Sequence, residues 1–442
     1  MLARLKEHAD APRWNREVGD RLTGDDLVAL DEFREELSTR RGVRGATVPA
    51  AILEWVMRRR PRVPWFSIAL RGVGDAEREW SSILTMSRQE LALRPWDLIP
   101  DDADLDTMVV YQTSGTTGHV LRVPYDPRAA AQNVPLIERA LLHYDLRPDF
   151  DADQVACFLI GAQAHTVTYP AVVTAWREAG FCKLNLRAGE WPSARAVHGY
   201  FSAMAPVLLT GDPISFAELL RLGIVHRPIA ALSTAVAMST GLSRRLQEAY
   251  GCPIIDWYSL TETGPLAFQC RAGHFHQLPH DVFLEIVRPD GAPCEPGERG
   301  EVTVTGGRNP FLPLLRYRTG DFGRIEYSPC ECGEVMPRLL ELEGRPPVLF
   351  RTPTGEPVNP VDLSHVLRDY ALVQHELVQR TDYSCDLVVR PVAGVAIDLL
   401  ELAANLSTLL GGVVVRTTIN LTLGDKQSGK IVPYRSELFL DE

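Results

Sequence analysis

Residues Thr113-Ser114-Gly115-Thr116-Thr117-Gly118 place two glycines and four hydroxyl side chains directly behind the strand-like lead-in Val110-Tyr111-Gln112. A loop of this composition is suited to wrapping a polyphosphate. Glycines let the backbone turn and bring its N–H groups up to anionic oxygens, and short hydroxyls add donors without bulk. A Walker loop would end in Gly-Lys-Ser/Thr, but here His119 follows Gly118, so the phosphate cation must come from elsewhere. Three further clusters follow in order: Asp256-Trp257-Tyr258-Ser259-Leu260-Thr261-Glu262, Arg316-Tyr317-Arg318-Thr319-Gly320-Asp321, and Lys426-Gln427-Ser428-Gly429-Lys430. A fourth has ligand chemistry. Cys270 with His276, and Cys330 with Cys332, offer three thiolates and an imidazole, the donor set of a structural tetrahedral zinc. His274 is the competing imidazole, buried free cysteines are the plainer reading, and Cys157, Cys182, Cys252 and Cys294 read as unpaired.

The elements that must position these residues follow from hydrophobic period. Leu27, Leu30, Phe33 and Leu37 recur at helical spacing within Asp25 to about Arg60, with a break at Arg40-Arg41-Gly42, and predict a helical N-terminal cap within residues 1–105. From Met108 to about Val304, short apolar runs (Val155 to Ile160, Val207 to Thr210, Ile229 to Ser233, Ile254 to Tyr258) alternate with helical segments such as Pro135 to Tyr144 and Ala194 to Met204. That alternation predicts α/β layers, with ligands where loops leave strand ends. Turn chemistry around Asp290-Gly291 and Glu295-Pro296-Gly297, with the alternating run Glu301 to Thr305, predicts a small β-rich lobe over 281–330. Pro and Gly are dense from Gly344 to Pro360, so a large domain of residues 1–344 and a small α+β domain of residues 345–442 are expected.

Composition narrows the classes. The 442 residues carry 45% hydrophobic and 23% charged side chains and a formal charge of -11, a globular and acidic profile that argues against a nucleic-acid partner. The N-terminus runs straight into charges and no apolar run reaches membrane-spanning length, so no membrane partner and a cytoplasmic location are expected. Eight cysteines in a chain this long do not make a secreted disulfide framework.

Taken in order, the four motifs from Thr113 to Lys430 resemble those of the adenylate-forming superfamily of acyl-CoA synthetases, amino-acid adenylation domains and luciferases, and especially its phenylacetate-CoA ligase-like branch. The resemblance covers roughly Asp106 to the end. It implies ATP-dependent attack of a carboxylate on the α-phosphate with loss of pyrophosphate, which requires charge neutralised on both sides of one phosphorus. By resemblance the loop from Thr113 through Ser114, Gly115, Thr116 and Thr117 to Gly118 holds the departing phosphates, Tyr258 stacks on adenine, Thr261 touches the α-phosphate and Glu262 binds Mg²⁺. An acidic oxygen beside phosphate suits that hard ion. Asp321, read as ending a loop after a strand, accepts the ribose hydroxyls, and Arg318 and Arg345 are candidate cations near the phosphate and hinge. Lys430 is the missing lysine, delivered by closure of a mobile C-terminal lid, with Lys426 its competitor.

Three segments depart from the family pattern. Leu232-Ser233-Thr234-Ala235-Val236 stands where a glycine-rich adenine contact is usual, Pro346-Pro347 follows the hinge arginine, and Gly355-Glu356-Pro357-Val358-Asn359-Pro360 replaces the usual pantetheine-tunnel loop. By analogy Gln163, His165, Tyr169 and Trp257 line a pocket for a small aryl or heteroaryl acid. His165 is equally a core histidine. The expected activity is formation of an acyl-AMP from a small aromatic acid and transfer to a thiol, with CoA the favoured acceptor. A carrier-protein pantetheine, an amine, or a catalytically silent nucleotide-binding regulator are the rivals, and a homodimer is left open.

Overall fold

Five parallel strands organise the larger part of the chain: Ile254–Leu260, Ala230–Ser233, Leu208–Gly211, Val155–Gly161 and Ala179–Asn185, neighbours in that order, with Tyr169–Val173 antiparallel at the edge. Parallel strands are buried on both faces, which is why they read as continuous apolar runs. On one face Tyr200, Phe201, Phe216, Leu219 and Leu246 from the helices Ala196–Met204, Pro213–Arg221 and Thr240–Tyr250 pack on Phe158 and Leu209. On the other, Phe33 and Leu37 from Gly24–Thr39 and Leu136 and Leu141 from Asn133–His143 pack on Ile255 and Phe268.

The computed structural model describes residues 1–19, 22–39, 45–113, 121–163, 166–235, 238, 240–342, 348–370, 372–391, 396–421, 423 and 433–438. It divides into two units, residues 1–111, 123–161 and 167–345 in one, and residues 112–122, 162–166 and 346–442 in the other. In the first, the sheet turns antiparallel beyond Ile254–Leu260. The strands Gly264–Gln269, Phe275–Gln277, Arg338–Leu340, Leu314–Glu326, Gly300–Gly306 and Val282–Val287 follow one another, so those within 281–330 extend the same thirteen-stranded sheet. The short strand Met86–Ser87 joins it by pairing in parallel with Leu314–Glu326. The second unit is α+β. Its four strands run Val415–Ile419, Cys385–Pro391, Leu372–Gln379, Tyr434–Ser436, and Leu363, Leu367, Leu402 and Leu406 from two helices pack on Leu377, Leu387 and Tyr434. Among the described residues, no helix is long and apolar enough to cross a membrane.

The strand Leu314–Glu326 is held by a fully buried arginine. Arg316 adopts φ 45°, outside the usual strand region, and its guanidinium donates to both carboxylate oxygens of Glu285 at 3.0 and 3.2 Å. It also donates to the carbonyls of Ile83 and Gly291, each at 2.7 Å, and of Ser81 at 3.3 Å. The Trp80 indole N–H adds a second donor to Glu285 at 3.2 Å. One cation thereby ties the segment 80–83 to the sheet. Removing a single partner of a buried pair leaves an uncompensated charge, so Arg316→Ala should lower unfolding stability by about 3–5 kcal/mol in denaturant melts of the full chain. A loss under about 1 kcal/mol would show the clasp to be dispensable.

Candidate active site

Glu262 sits in the turn between Ile254–Leu260 and Gly264–Gln269, an antiparallel hairpin closed by the Leu260–Gly264 pair. Gly264 has φ +69°, and a Cβ there would lie 3.3 Å from the Tyr125 hydroxyl, so the turn favours glycine on both counts. The Glu262 carboxylate is buried at 2% exposure. Its Oε1 accepts from the Tyr317 hydroxyl at 2.7 Å and from the Arg88 guanidinium, while Oε2 has no hydrogen-bond partner among the described residues. A buried acceptor with one lone oxygen is the local arrangement that a hard cation or a donor-bearing ligand would satisfy.

Arg88 was not among the residues expected here. It opens the helix Arg88–Leu93, whose start is set by a capping box in which Ser87 and Glu90 satisfy each other's backbone N–H. Register does the rest: Met86 pairs with Tyr317 and Ser87 with Arg318, which brings the next residue to Glu262. Burial works against the Arg88 charge, yet the nearby Glu262, Tyr317 and Asp321 hold its guanidinium above the ordinary value. The Ser-x-x-Glu spacing at 87–90 was legible as a helix start, but nothing in the sequence linked that start to Glu262.

Tyr258 and Asp321 meet from two strands, with the phenol donating to the carboxylate at 3.2 Å. Burial, then the Asp321 charge, pushes the Tyr258 phenol well above its usual value. Asp321 lies inside the long strand Leu314–Glu326 rather than at the end of a loop, because the strand runs on through Gly320 at φ +77°. Arg318 departs from expectation. Its guanidinium pairs with Glu301 at 2.5 Å and donates to the Pro289 carbonyl at 3.1 Å, on the strand face opposite Tyr317 and Asp321. It is therefore not the cation beside Glu262. Trp257 also departs: one residue from Tyr258, it points to the other face and packs in the apolar core with Phe268 and Leu141. Thr261 is exposed at the hairpin turn.

Of the phosphate loop, Thr113 is described and buried, and its backbone and hydroxyl both bond to Leu121, at 3.0 and 2.9 Å, so the two ends of the loop are clamped. Ser114, Gly115, Thr116, Thr117 and Gly118 lie outside the described residues, as do His165, Arg345, Lys426 and Lys430. Gln163 is half-buried and falls in the smaller unit. The Tyr169 ring lies 6.0 Å from that of Phe181, tilted by 35°. Tyr111 and Tyr125 meet edge to face at 5.5 Å, and burial, with Tyr111 and Glu262 contributing, pushes the Tyr125 phenol up to about 12. A shallow cleft, open to solvent, lies against the hairpin turn and is lined by Tyr125, Gln132, Glu262, His280 and Asn309.

The cysteine cluster assembles. The donor atoms of Cys270, His276, Cys330 and Cys332 all lie within 4.8 Å of one another, where a tetrahedral zinc with bonds of about 2.3 Å would set sulfurs about 3.8 Å apart. His276 Nδ1 is hydrogen-bonded to the Met336 carbonyl at 2.8 Å, which turns Nε2 toward Cys332 at 3.4 Å. His274 lies outside the strand Phe275–Gln277 and places Nδ1 3.4 Å from Cys330 Sγ. Burial opposes ionisation of Cys330, but the Cys332 N–H and the two imidazoles outweigh it and bring that thiol down to about 6.

No family model matches the chain. Among solved structures, 2-hydroxyisobutyryl-CoA ligase in complex with 2-HIB-AMP and CoA in the thioesterification state covers 98% of this chain and 97% of that one, with TM-score 0.56 and 16% identity. The same ligase in its postadenylation state covers 85% and 87%, with TM-score 0.52 and 17% identity. The chain thus shares the fold of this CoA ligase, in line with the fold that the motif resemblance implied. In sequence it is similar to the phenylacetate-coenzyme A ligases of Thermus thermophilus and Escherichia coli. These match at 31% identity over 123 residues and 35% over 114, which is 26% and 25% of this chain and 27% and 24% of theirs. A chalcone synthase of Aspergillus candidus matches at 29% over 239 residues, 46% of this chain and 8% of its own length. The chain therefore spans under a third of each of these curated relatives.

Arg88→Gln should destabilise the full chain by about 3 kcal/mol at neutral pH, because Glu262 would keep a buried charge without its cation. A loss under about 1 kcal/mol in thermal melts would instead show that Arg88 is not what holds the buried carboxylate.

Proposed function

We propose that this chain activates a small, aromatic carboxylic acid with ATP, releasing pyrophosphate and forming an acyl-AMP, and then transfers the acyl group to a thiol, with CoA as the acceptor. One observation carries the reading: the buried Glu262 carboxylate keeps one oxygen without a partner, beside Arg88 and near the Tyr258–Asp321 pair. The relatives that support it are phenylacetate-coenzyme A ligases and a CoA ligase captured with an acyl-AMP and CoA.

In this reading a carboxylate oxygen of the acid forms a bond to the α-phosphorus as the bond to pyrophosphate breaks. Mg²⁺ bound at Glu262 would supply charge neutralisation at the phosphates. Arg88 and Tyr317 hold Oε1 of Glu262, and Oε2, without a partner among the described residues, would be the oxygen that holds the ion. Asp321, oriented by Tyr258, accepts the ribose hydroxyls, and Thr261 at the turn contacts the α-phosphate. The loop Thr113 to Gly118 holds the departing phosphates, and Lys430 provides the cation that a Walker loop would carry. The four Cys and His donors would hold a structural zinc, which would fix the far end of the Glu262 hairpin.

A panel of aryl and aliphatic acids scored for ATP-dependent pyrophosphate release, followed by mass spectrometry with and without CoA, tests the activity. Lys430→Ala should lower pyrophosphate release about a hundredfold or more, equivalent to ~3 kcal/mol, with nucleotide affinity little changed. Nucleotide binding with no release for any acid would favour a silent regulator. For the metal, elemental analysis should find about one zinc per chain, lost together with several degrees of thermal stability in a Cys330→Ser, Cys332→Ser variant. Equal zinc content in both proteins would remove the cluster from consideration.

A further inference from the structure

Lys183 lies in the strand Ala179–Asn185, directly opposite Tyr169 on the antiparallel edge strand and beside Leu159 on the parallel one. Directly opposed residues share a sheet face with Cβ atoms about 5 Å apart, so its side chain rises next to the Tyr169 ring. Among the described residues it has no hydrogen bond or ion pair, and burial alone lowers its ammonium below the ordinary lysine range. Lys183 is half-buried among half-buried neighbours on this face, and a lysine so placed without an anion is open to completion by a ligand from outside the chain.

The surroundings indicate what that is. Tyr111 lies close enough to Tyr169 to add to the rise of its phenol, after burial. Tyr111 also meets Tyr125 at 5.5 Å, and Tyr125 in turn feels the charge of Glu262. Two aromatic pairs therefore neighbour the lysine and the Glu262 end of the site: Tyr169 with Phe181 on the Lys183 side, and Tyr111 with Tyr125 on the Glu262 side. Aromatic faces suit an aryl group, and a terminal ammonium suits an acceptor at that group's far end.

We propose that Lys183 is a specificity-determining residue, and that the acids preferred by the activity proposed above carry a second, anionic or phenolic group remote from the reacting carboxylate. The inference rests on that activity for its kinetic readout. A bound acceptor restores to the ammonium the partner that burial took away, whereas an acid ending in hydrogen leaves it unsatisfied.

The test compares phenylacetate with its para-hydroxy and para-carboxy derivatives, using pyrophosphate release by the full chain and by Lys183→Met and Lys183→Arg. The unaltered protein should favour a para-substituted acid at least tenfold in kcat/KM. Lys183→Met should erase that preference by weakening the substituted acid while leaving phenylacetate unchanged or improved, and Lys183→Arg should retain part of it. Equal effects on all three acids, or no preference to begin with, would overturn the role of Lys183 while leaving the ligase reading intact. If no acid releases pyrophosphate, the ligase reading fails first. Thermal stabilisation of the chain by the para-carboxy acid, present in the unaltered protein and absent in Lys183→Met, then decides the binding claim alone. Circular dichroism of each variant separates a lost contact from a lost fold.

Discussion

The buried Arg316–Glu285 clasp is the constraint from which the geometry of the candidate site follows. A guanidinium with no exposure, in a backbone conformation that side chains rarely adopt, spends its donors on Glu285 and on carbonyls from two separate segments. Charge-assisted bonds of this kind are short-ranged and directional, so they set where the segment 80–83 lies against the sheet. Three residues beyond Ile83, Met86 and then Ser87 pair with Tyr317 and Arg318, and Arg88 arrives at Glu262 as a consequence of register rather than of local preference. The same strand turns Tyr317 and Asp321 to one face and Arg316 and Arg318 to the other. One side is thus structural electrostatics and the other site electrostatics.

The Glu262 hairpin is restrained at both ends. Its turn is shaped by Gly264 and by the bonds that Arg88 and Tyr317 make to the carboxylate. At its far end, Phe268 pairs with His276 and the strand runs directly into Cys270, so the Cys and His cluster meets the hairpin where the sheet would otherwise fray. Arg139 and Glu334, paired at 2.5 Å, add a polar contact beside that cluster from the helix Asn133–His143. A site that holds a buried carboxylate with one unsatisfied oxygen needs this kind of support, because an isolated buried charge would otherwise relax toward water or toward a proton.

Much of this was written in the residue order. The four motifs and their order resembled those of the adenylate-forming superfamily, and the structure shares the fold of a CoA ligase. The apolar runs from Val155 to Tyr258 located four of the five parallel strands to within two residues, because strands buried on both faces leave a continuous signal, and left Ala179–Asn185 unread. The pairing of Cys270 with His276 and of Cys330 with Cys332 anticipated a cluster that the sheet does assemble. Trp257 and Arg318 were less legible: each sits beside a site residue in the chain, and each points away from it in space.

What the sequence determined by itself was therefore an inventory, namely which donors, acceptors and cations exist and in what order they follow. What only the tertiary structure decided was which side of each strand faces the site, that a helix start at Ser87 delivers Arg88 to Glu262, and that Lys183 rises beside Tyr169. The physical reason is that strand periodicity specifies faces only relative to one another. Which face becomes the core and which the site depends on the helices and distant strands packed against it, and those contacts join residues more than a hundred positions apart.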